Sequence, residues 1–310
     1  MRAFPFMKIR WFGFLATLVM IVATTASLAI QGLNMGLDFT GGVLIEAERP
    51  QPFDVGRVRA DLEAAGFEET VVNTTDGGRV AIIRLPPAQT GEDVEAMSRQ
   101  VTTALGEGIE IRRTDAVGPR VSGELFRTGV IASLASVLMI AVYVWFRFES
   151  RFGFSAFLTT FHDVYAVVGL FSITQMTFDL TTVAAVLTVA GYSINDTVVV
   201  FDRIREMLKK YKKLALPKLI DLSITSTLSR TLLTSTTVLL ACGSMMLLGG
   251  PVLFGFAAAI GFGVIIGTYS SIFVAAPLLM YLPGRIPGGD RKAEVESQPE
   301  PPGPAATAPV

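Results

Sequence analysis

The chain has 310 residues, 51% of them hydrophobic and 17% charged, with a mean hydropathy of +0.52. Those proportions exclude the two-domain soluble protein that the length alone would suggest. A formal net charge of −1 from 26 basic and 27 acidic side chains points to no nucleic-acid partner, and a single cysteine, Cys242, with a single histidine, His162, excludes a disulfide framework and ordinary zinc chemistry built by this chain alone.

Charge-free runs are the strongest structural signal. A bilayer core about 30 Å thick needs about 20 apolar residues at about 1.5 Å each. Six stretches qualify: Trp11 to Gln31, Thr128 to Phe146, Thr231 to Gly250 and Pro251 to Pro283 are charge-free, Phe154 to Thr177 holds only His162 and Asp163, and Leu180 to Phe201 only Asp196. The first follows Arg2, Lys8 and Arg10 as a signal peptide would. It exceeds the about 7 to 15 apolar residues of such a leader and reads as a retained span. Residues 1–10 then form a short N-terminal segment, 11–31 the first span, 32–119 an outer segment, 120–283 a bundle of five further helices, and 284–310 a tail.

Within the outer segment, residues 43–115 have a soluble composition. The pattern predicts strand Val43–Ala47, helix Pro52–Ala65, strand Thr70–Thr74, strand Arg79–Leu85, helix Gly91–Leu105 and strand Glu110–Arg113. Thr75, Asp76, Gly77 and Gly78 are a hairpin turn signal, Gly66 and Gly106 stand where helices should stop, and Pro86 and Pro87 mark the connection into the second helix. The order β-α-β-β-α-β is ferredoxin-like, an α+β arrangement that fixes architecture and says little about activity. At about 70 residues the module is small enough to lean on a partner or on the segments beside the membrane. The tail from Gly284 onward, with six prolines among Glu, Ala and Gly, lacks the apolar content to pack and is expected to be disordered.

Lysine and arginine set the orientation. Arg203, Arg205, Lys209, Lys210, Lys212, Lys213 and Lys218 crowd one loop, Arg147 and Arg151 follow the second span, and Arg285, Arg291 and Lys292 follow the sixth. The opposite connections, Phe178–Asp179 and Leu248–Pro251, carry no basic residue, which places both termini in the cytoplasm. The topological reading also accounts for Lys209 to Lys213 better than nucleic-acid or anionic-lipid binding does.

Ionisable groups within the spans are costly and usually face a bundle interior. Asp163, Asp196 and Arg230 lie about 14, 16 and 20 residues from the outer ends of their spans, roughly 20 to 30 Å deep. They are near enough in level to meet. Asp196 stands between Asn195 and Thr197 on an otherwise apolar helix. Two readings of Asp196 and Arg230 are open: a reversible proton site, and a static buried ion pair that fixes helix register. His162 and Asp163 are adjacent and so should point to different faces of one helix, with Asp163 in the polar network and His162 a packing or water-exposed residue. Thr225, Ser226, Thr227, Ser229, Thr231, Thr234, Ser235, Thr236 and Thr237 make a dense hydroxyl stripe, suited mainly to helix packing and secondarily to proton relay. Asp202, Arg203, Arg205 and Glu206 read as a solvated cluster at the membrane boundary. No nucleophile can be paired with a base and an orienting acid, and no G-x-x-x-x-G-K-[ST] phosphate loop is present. Energy would therefore come from an ion gradient, without a cofactor.

Four stretches resemble one known family. They are Gly36-Leu37-Asp38-Phe39-Thr40-Gly41-Gly42, Val117-Gly118-Pro119 with Gly123-Glu124-Leu125, Gly191-Tyr192-Ser193-Ile194-Asn195-Asp196-Thr197-Val198-Val199-Val200-Phe201-Asp202-Arg203, and Leu228-Ser229-Arg230-Thr231. Together they resemble the SecD/SecF family of bacterial protein-export membrane subunits, over about Trp11 to Leu282, and the small outer module favours its SecF branch over SecD. The resemblance implies a six-helix bundle of the resistance-nodulation-division type in the cytoplasmic membrane. It also implies a complex with SecD that assists the SecYEG channel, and proton flow that moves outer domains to draw out a translocating preprotein. By motif, Asp196 resembles the family's intramembrane acid and Arg230 its basic counterpart. Asp163 and His162 resemble third-span residues of less defined role. Proton coupling would rest on Asp196, Arg230 and Asp163, with Asn195, Thr197, His162, Thr231 and Thr234 as the supporting polar network, and a further proton carrier is expected on SecD. A small-molecule exporter of the same superfamily would need larger outer domains, and a structural scaffold would use the buried charges only for helix pairing.

Overall fold

The computed structural model describes residues 4–67, 70–86, 91–106 and 108–282. The proline-rich tail expected from Gly284 and the connecting Pro87 lie outside them. The chain forms two compact units, Met35–Ala132 and Met1–Asn34 with Ser133–Val310.

The helix α1 (Arg10–Ile30) opens the larger unit, and the short helix α2 (Leu37–Thr40) opens the smaller one. There follow β1 (Gly42–Glu48), α3 (Val55–Ala64), β2 (Val71–Thr75), β3 (Val80–Leu85), α4 (Gly91–Leu105) and β4 (Glu110–Val117). The sheet order is β2-β3-β1-β4 with every neighbouring pair antiparallel, the ferredoxin-like arrangement expected from the pattern. Val43, Ile45 and Ala47 of β1 are fully buried, as are Ala81 and Ile83 of β3. They pack with Val58 and Leu62 of α3 and Val101 of α4, so one sheet face meets two helices.

Two boundaries moved for identifiable reasons. Asp54 caps α3 by accepting from the amides of Gly56 at 2.9 Å and Arg57 at 3.3 Å, leaving Pro52 and Phe53 outside the helix. Strand β4 runs to Val117, beyond the expected Arg113, because pairing with β1 carries it on to Gly42↔Val117. Pairing of this kind overrides the weak strand propensity of Asp115. Gly41 and Gly42 are backbone requirements: Gly42 has φ +119°, and a Cβ there would stand 2.5 Å from the Leu85 carbonyl oxygen.

The long helices are α5 (Pro119–Arg147), α6 (Ser150–Thr174), α7 (Leu180–Lys210), α8 (Leu216–Leu248) and α9 (Gly250–Ser270). The chain then passes through a π-helical segment, Ser271–Ala275, into α10 (Ala276–Leu278). With α1, six helices are long and apolar enough to cross a membrane. Helix α8 starts well before the expected Thr231 and α7 continues past Phe201, because helices extend into water beyond the charge-free stretch that meets hydrocarbon. The π segment lies just before Pro277, whose ring would otherwise press on the carbonyl four residues back in a regular helix.

Close approach between helices rests on glycine. A Cβ at Gly263 would fall 2.2 Å from Val189 Cγ2, and one at Gly169 would fall 2.1 Å from Thr24 Oγ1. Helices α9 and α7, and α6 and α1, therefore meet nearly backbone to side chain. At one end of the bundle Phe152 packs edge-on to Phe201 at 5.2 Å, with Phe148 beside both. The N-terminal residues Phe6 and Met7 are buried in the same cluster, and the Met7 amide donates to Asp221 Oδ1 at 2.9 Å.

Candidate functional site

Three helices converge on one carboxylate. Asp163, on α6, is fully buried; its Oδ2 accepts from Ser193 of α7 at 2.5 Å and from Ser270 of α9 at 2.7 Å. Its Oδ1 lies 2.8 Å from His162 Nδ1. Gly267 permits this meeting, since a Cβ there would already lie 3.4 Å from Ser193 Cβ and 3.8 Å from Asp163 Oδ2. With Asp163 ionised, the His162 tautomer protonated at Nδ1 donates to it.

This corrects the expectation that His162 turns toward water or to a face apart from Asp163. The imidazole is buried at 6% exposure and faces its neighbour, neither water-exposed nor turned to a separate face. Successive helical residues diverge by about 100°, which the flat imidazole and the short carboxylate bridge by bending toward each other around the helix.

Asp196 lies one helical turn beyond Ser193 on α7 and is buried, yet its Oδ2 has no hydrogen-bond partner among the described residues. Thr197 Oγ1, Thr160 Oγ1 and His162 Nε2 are buried and unpartnered in the same sense. Helices α6 and α7 are joined by a short connection and run antiparallel, so the Asp163–Ser193 bond places Thr160 at the level of Asp196. The four unpartnered atoms thus occupy adjoining turns of two packed helices. Buried polar atoms in such a position are ordinarily satisfied by water or by a proton.

Arg230, on α8, is exposed in this chain, and among the described residues it forms no ion pair within 4.0 Å. Asn195 is also exposed and continues a stripe of Thr181, Ala184, Thr188 and Gly191 along α7. Thr231 is buried, whereas Thr234 donates back to the carbonyls of Arg230 and Thr231 on its own helix. Most of the α8 hydroxyls behave like Thr234: Thr225, Ser226 and Thr227 each satisfy a carbonyl three or four residues back. Ser226 also accepts from Arg203 Nε of α7 at 2.9 Å, and Ser235 bridges two helices, 3.1 Å from Tyr192 of α7 and 2.7 Å from Thr268 of α9.

Sequence reasoning had not singled out Ser193, Ser270, Tyr192 or Thr268. Ser193 was open to detection, being one turn before Asp196 in an otherwise apolar run. Ser270 was not, because its role depends on the approach of α9 through Gly267.

The class of protein follows from the six apolar helices and the small antiparallel α+β module: a multi-pass membrane protein. Residues 97–285 match the family described as "Protein export membrane protein SecD/SecF, C-terminal", and residues 26–48 match the "SecD/SecF GG Motif" that contains Gly41 and Gly42. The protein translocase subunit SecF of Rhodobacter capsulatus is 41% identical over 307 residues, covering 94% of this chain and 91% of that protein. The SecF of Pseudomonas aeruginosa is 43% identical over 282 residues, covering 89% and 90%. The crystal structure of SecDF from Thermus thermophilus, described as a translocon-associated membrane protein, aligns with a TM-score of 0.81 at 36% identity and 90% coverage of this chain. The alignment spans 38% of the SecDF chain, which is much longer. The chain belongs to the SecD/SecF family of protein-export membrane proteins, on the SecF side of it.

Proposed function

We propose that the protein is an auxiliary, non-enzymatic subunit of the bacterial Sec export machinery, pairing with SecD and using the proton gradient to promote late translocation and release of preproteins through SecYEG. The family membership and the SecF relatives support the export role. The proton-coupling part is carried by one observation: Asp196, deep in a span, keeps a buried carboxylate oxygen without a hydrogen-bond partner among the described residues. An oxygen with unused acceptor capacity can take a proton from water and return it. Arg230, unpaired and exposed on the neighbouring helix, would respond to that change of charge, while Asp163, held by two hydroxyls and His162, would anchor the three helices around it. The distribution of lysine and arginine supports placement in the cytoplasmic membrane with both termini inside and the α+β module outside.

The test is proton flux through proteoliposomes containing this chain with SecD. Asp196→Asn and Arg230→Leu are each expected to abolish gradient-dependent flux and gradient-stimulated export while SecD still copurifies. Flux at the unsubstituted level in Asp196→Asn would remove Asp196 from the pathway and leave a scaffold role for the buried charges.

A further inference from the structure

We propose that the basic end of α7 and the end of α5 form a binding site for the headgroup of an anionic phospholipid, independent of the proton-coupling reading. An open groove of about 480 Å³ is lined by Arg147 of α5 and by Asp202, Arg205, Glu206, Lys209 and Lys210 of α7. Counting Glu149, paired with Arg205, and Arg203, paired with Glu206, five cations face three carboxylates, so the groove carries a net positive charge.

The cations are of two kinds. Arg147 and Arg205 are held in place: Asp202 receives Arg147 Nη2 at 2.5 Å and stands 3.8 Å from Arg205 Nη1, while both guanidinium carbons lie over the Phe148 ring, at 4.9 Å and 5.7 Å. Glu206 is already engaged by Arg203 at 2.7 Å. Lys209 and Lys210 are exposed and, among the described residues, have no ion-pair partner within 4.0 Å. Arg205 Nη2 also stands 3.6 Å from Glu149 Oε1, so its guanidinium is held between two carboxylates. Lys210 Nζ also lies 5.4 Å from the centroid of the Tyr211 ring, and a pre-oriented guanidinium pair with two ammonium groups outside any ion pair among the described residues is suited to a phosphate diester.

The neighbouring surface decides between a lipid and a soluble phosphate. Just before Arg147, Tyr143, Trp145 and Phe146 are exposed at 54%, 66% and 86%, and Leu138 and Met139 continue the apolar face one turn further along α5. That face is where acyl chains would lie, and the groove begins where it ends. A lipid satisfies both halves at once; a free phosphate uses only one.

The protein contains two tryptophans, Trp11 and Trp145, so Trp11→Phe leaves a reporter two residues from Arg147. The full chain carrying Trp11→Phe would be reconstituted in phosphatidylcholine vesicles with brominated phosphatidylglycerol or brominated phosphatidylcholine at equal mole fraction. The brominated anionic lipid is expected to quench Trp145 in preference. Lys209→Gln with Lys210→Gln is expected to lower that preference by at least about tenfold, through loss of direct charge-assisted hydrogen bonds to the phosphate. Lys212→Gln with Lys213→Gln removes the same charge just outside the groove and is expected to leave most of the preference in place. Equal quenching by both lipids, or equal losses from the two double variants, would overturn the site in favour of diffuse surface attraction. Loss of the preference in millimolar inorganic phosphate, with sulfate at the same ionic strength inert, would overturn it in favour of a soluble phosphate ligand.

Discussion

At Asp163, two serine hydroxyls and one imidazole share a carboxylate that no water reaches from outside the fold. Hydrogen bonds to a charged group are worth about 1.5 to 3 kcal/mol each, and more than neutral ones because the alternative is a buried charge without donors. Ser193→Ala and Ser270→Ala are each expected to lower stability by about that amount, read as the midpoint of thermal unfolding in detergent. The double variant should lose less than the sum, since the two hydroxyls serve one oxygen. Unchanged midpoints in both single variants would mean that the serines do not hold the carboxylate. Asp196 differs in kind. Its unpartnered oxygen contributes little to holding helices together, so Asp196→Asn should leave the unfolding midpoint nearly unchanged while removing flux. Opposite signatures for two aspartates at adjoining levels would separate the anchoring group from the one that exchanges protons.

At the scale of elements, the contact between α7 and α9 depends on the absence of a side chain at Gly263. A methyl group there would overlap Val189, and overpacking of this kind costs about 1 to 3 kcal/mol. Gly263→Ala is expected to destabilise the chain, and adding Val189→Ala should restore most of the loss, because it removes the atoms that clash. Failure of the second substitution to rescue would show that the helices are spaced by something other than this pair. The same scale shows what could be read from residues alone. The α+β module was legible because its strands alternate and its turns carry glycine at fixed offsets, so Gly66 and Gly106 end helices in the left-handed region as the pattern requires. The six spans were legible as long apolar runs with few charges or none. The extra turns of α7 and α8 were not, since a rule that measures hydrocarbon thickness is blind to helix outside it. Asp196, Arg230 and Asp163 stood out as costly charges; their partners did not, because hydrogen bonds to Ser270 and His162 depend on how close the backbones come and on how two neighbouring side chains bend.

Across the whole molecule, burial is uneven. About half or more of the spanning windows of α6, α7 and the last helical run lie inside the fold, against 6% for α5 and 17% for α1 and α8. Apolar residues on those poorly buried helices suit lipid. The Asn195 stripe on α7 and Arg230 on α8 do not, and polar side chains at that depth need a protein partner or water. If SecD supplies that partner, a nitroxide at Asn195→Cys in a Cys242→Ser background should lose accessibility to dissolved oxygen when SecD is coexpressed. A label at Leu247→Cys, 85% exposed on α8, should not. Equal behaviour at the two positions would place the partner elsewhere. The link from the Met7 amide to Asp221 bears on biosynthesis, because it spans 214 residues of chain. At about 5 to 20 residues per second, the ribosome needs roughly 10 to 40 s to deliver Asp221 after Met7. Through that interval Phe6 and Met7 lack the α8 part of their cluster, Leu219, Ile220 and Ile224, and the newborn protein displays a half-covered apolar N-terminal hook that the insertion machinery must tolerate until the fifth span arrives.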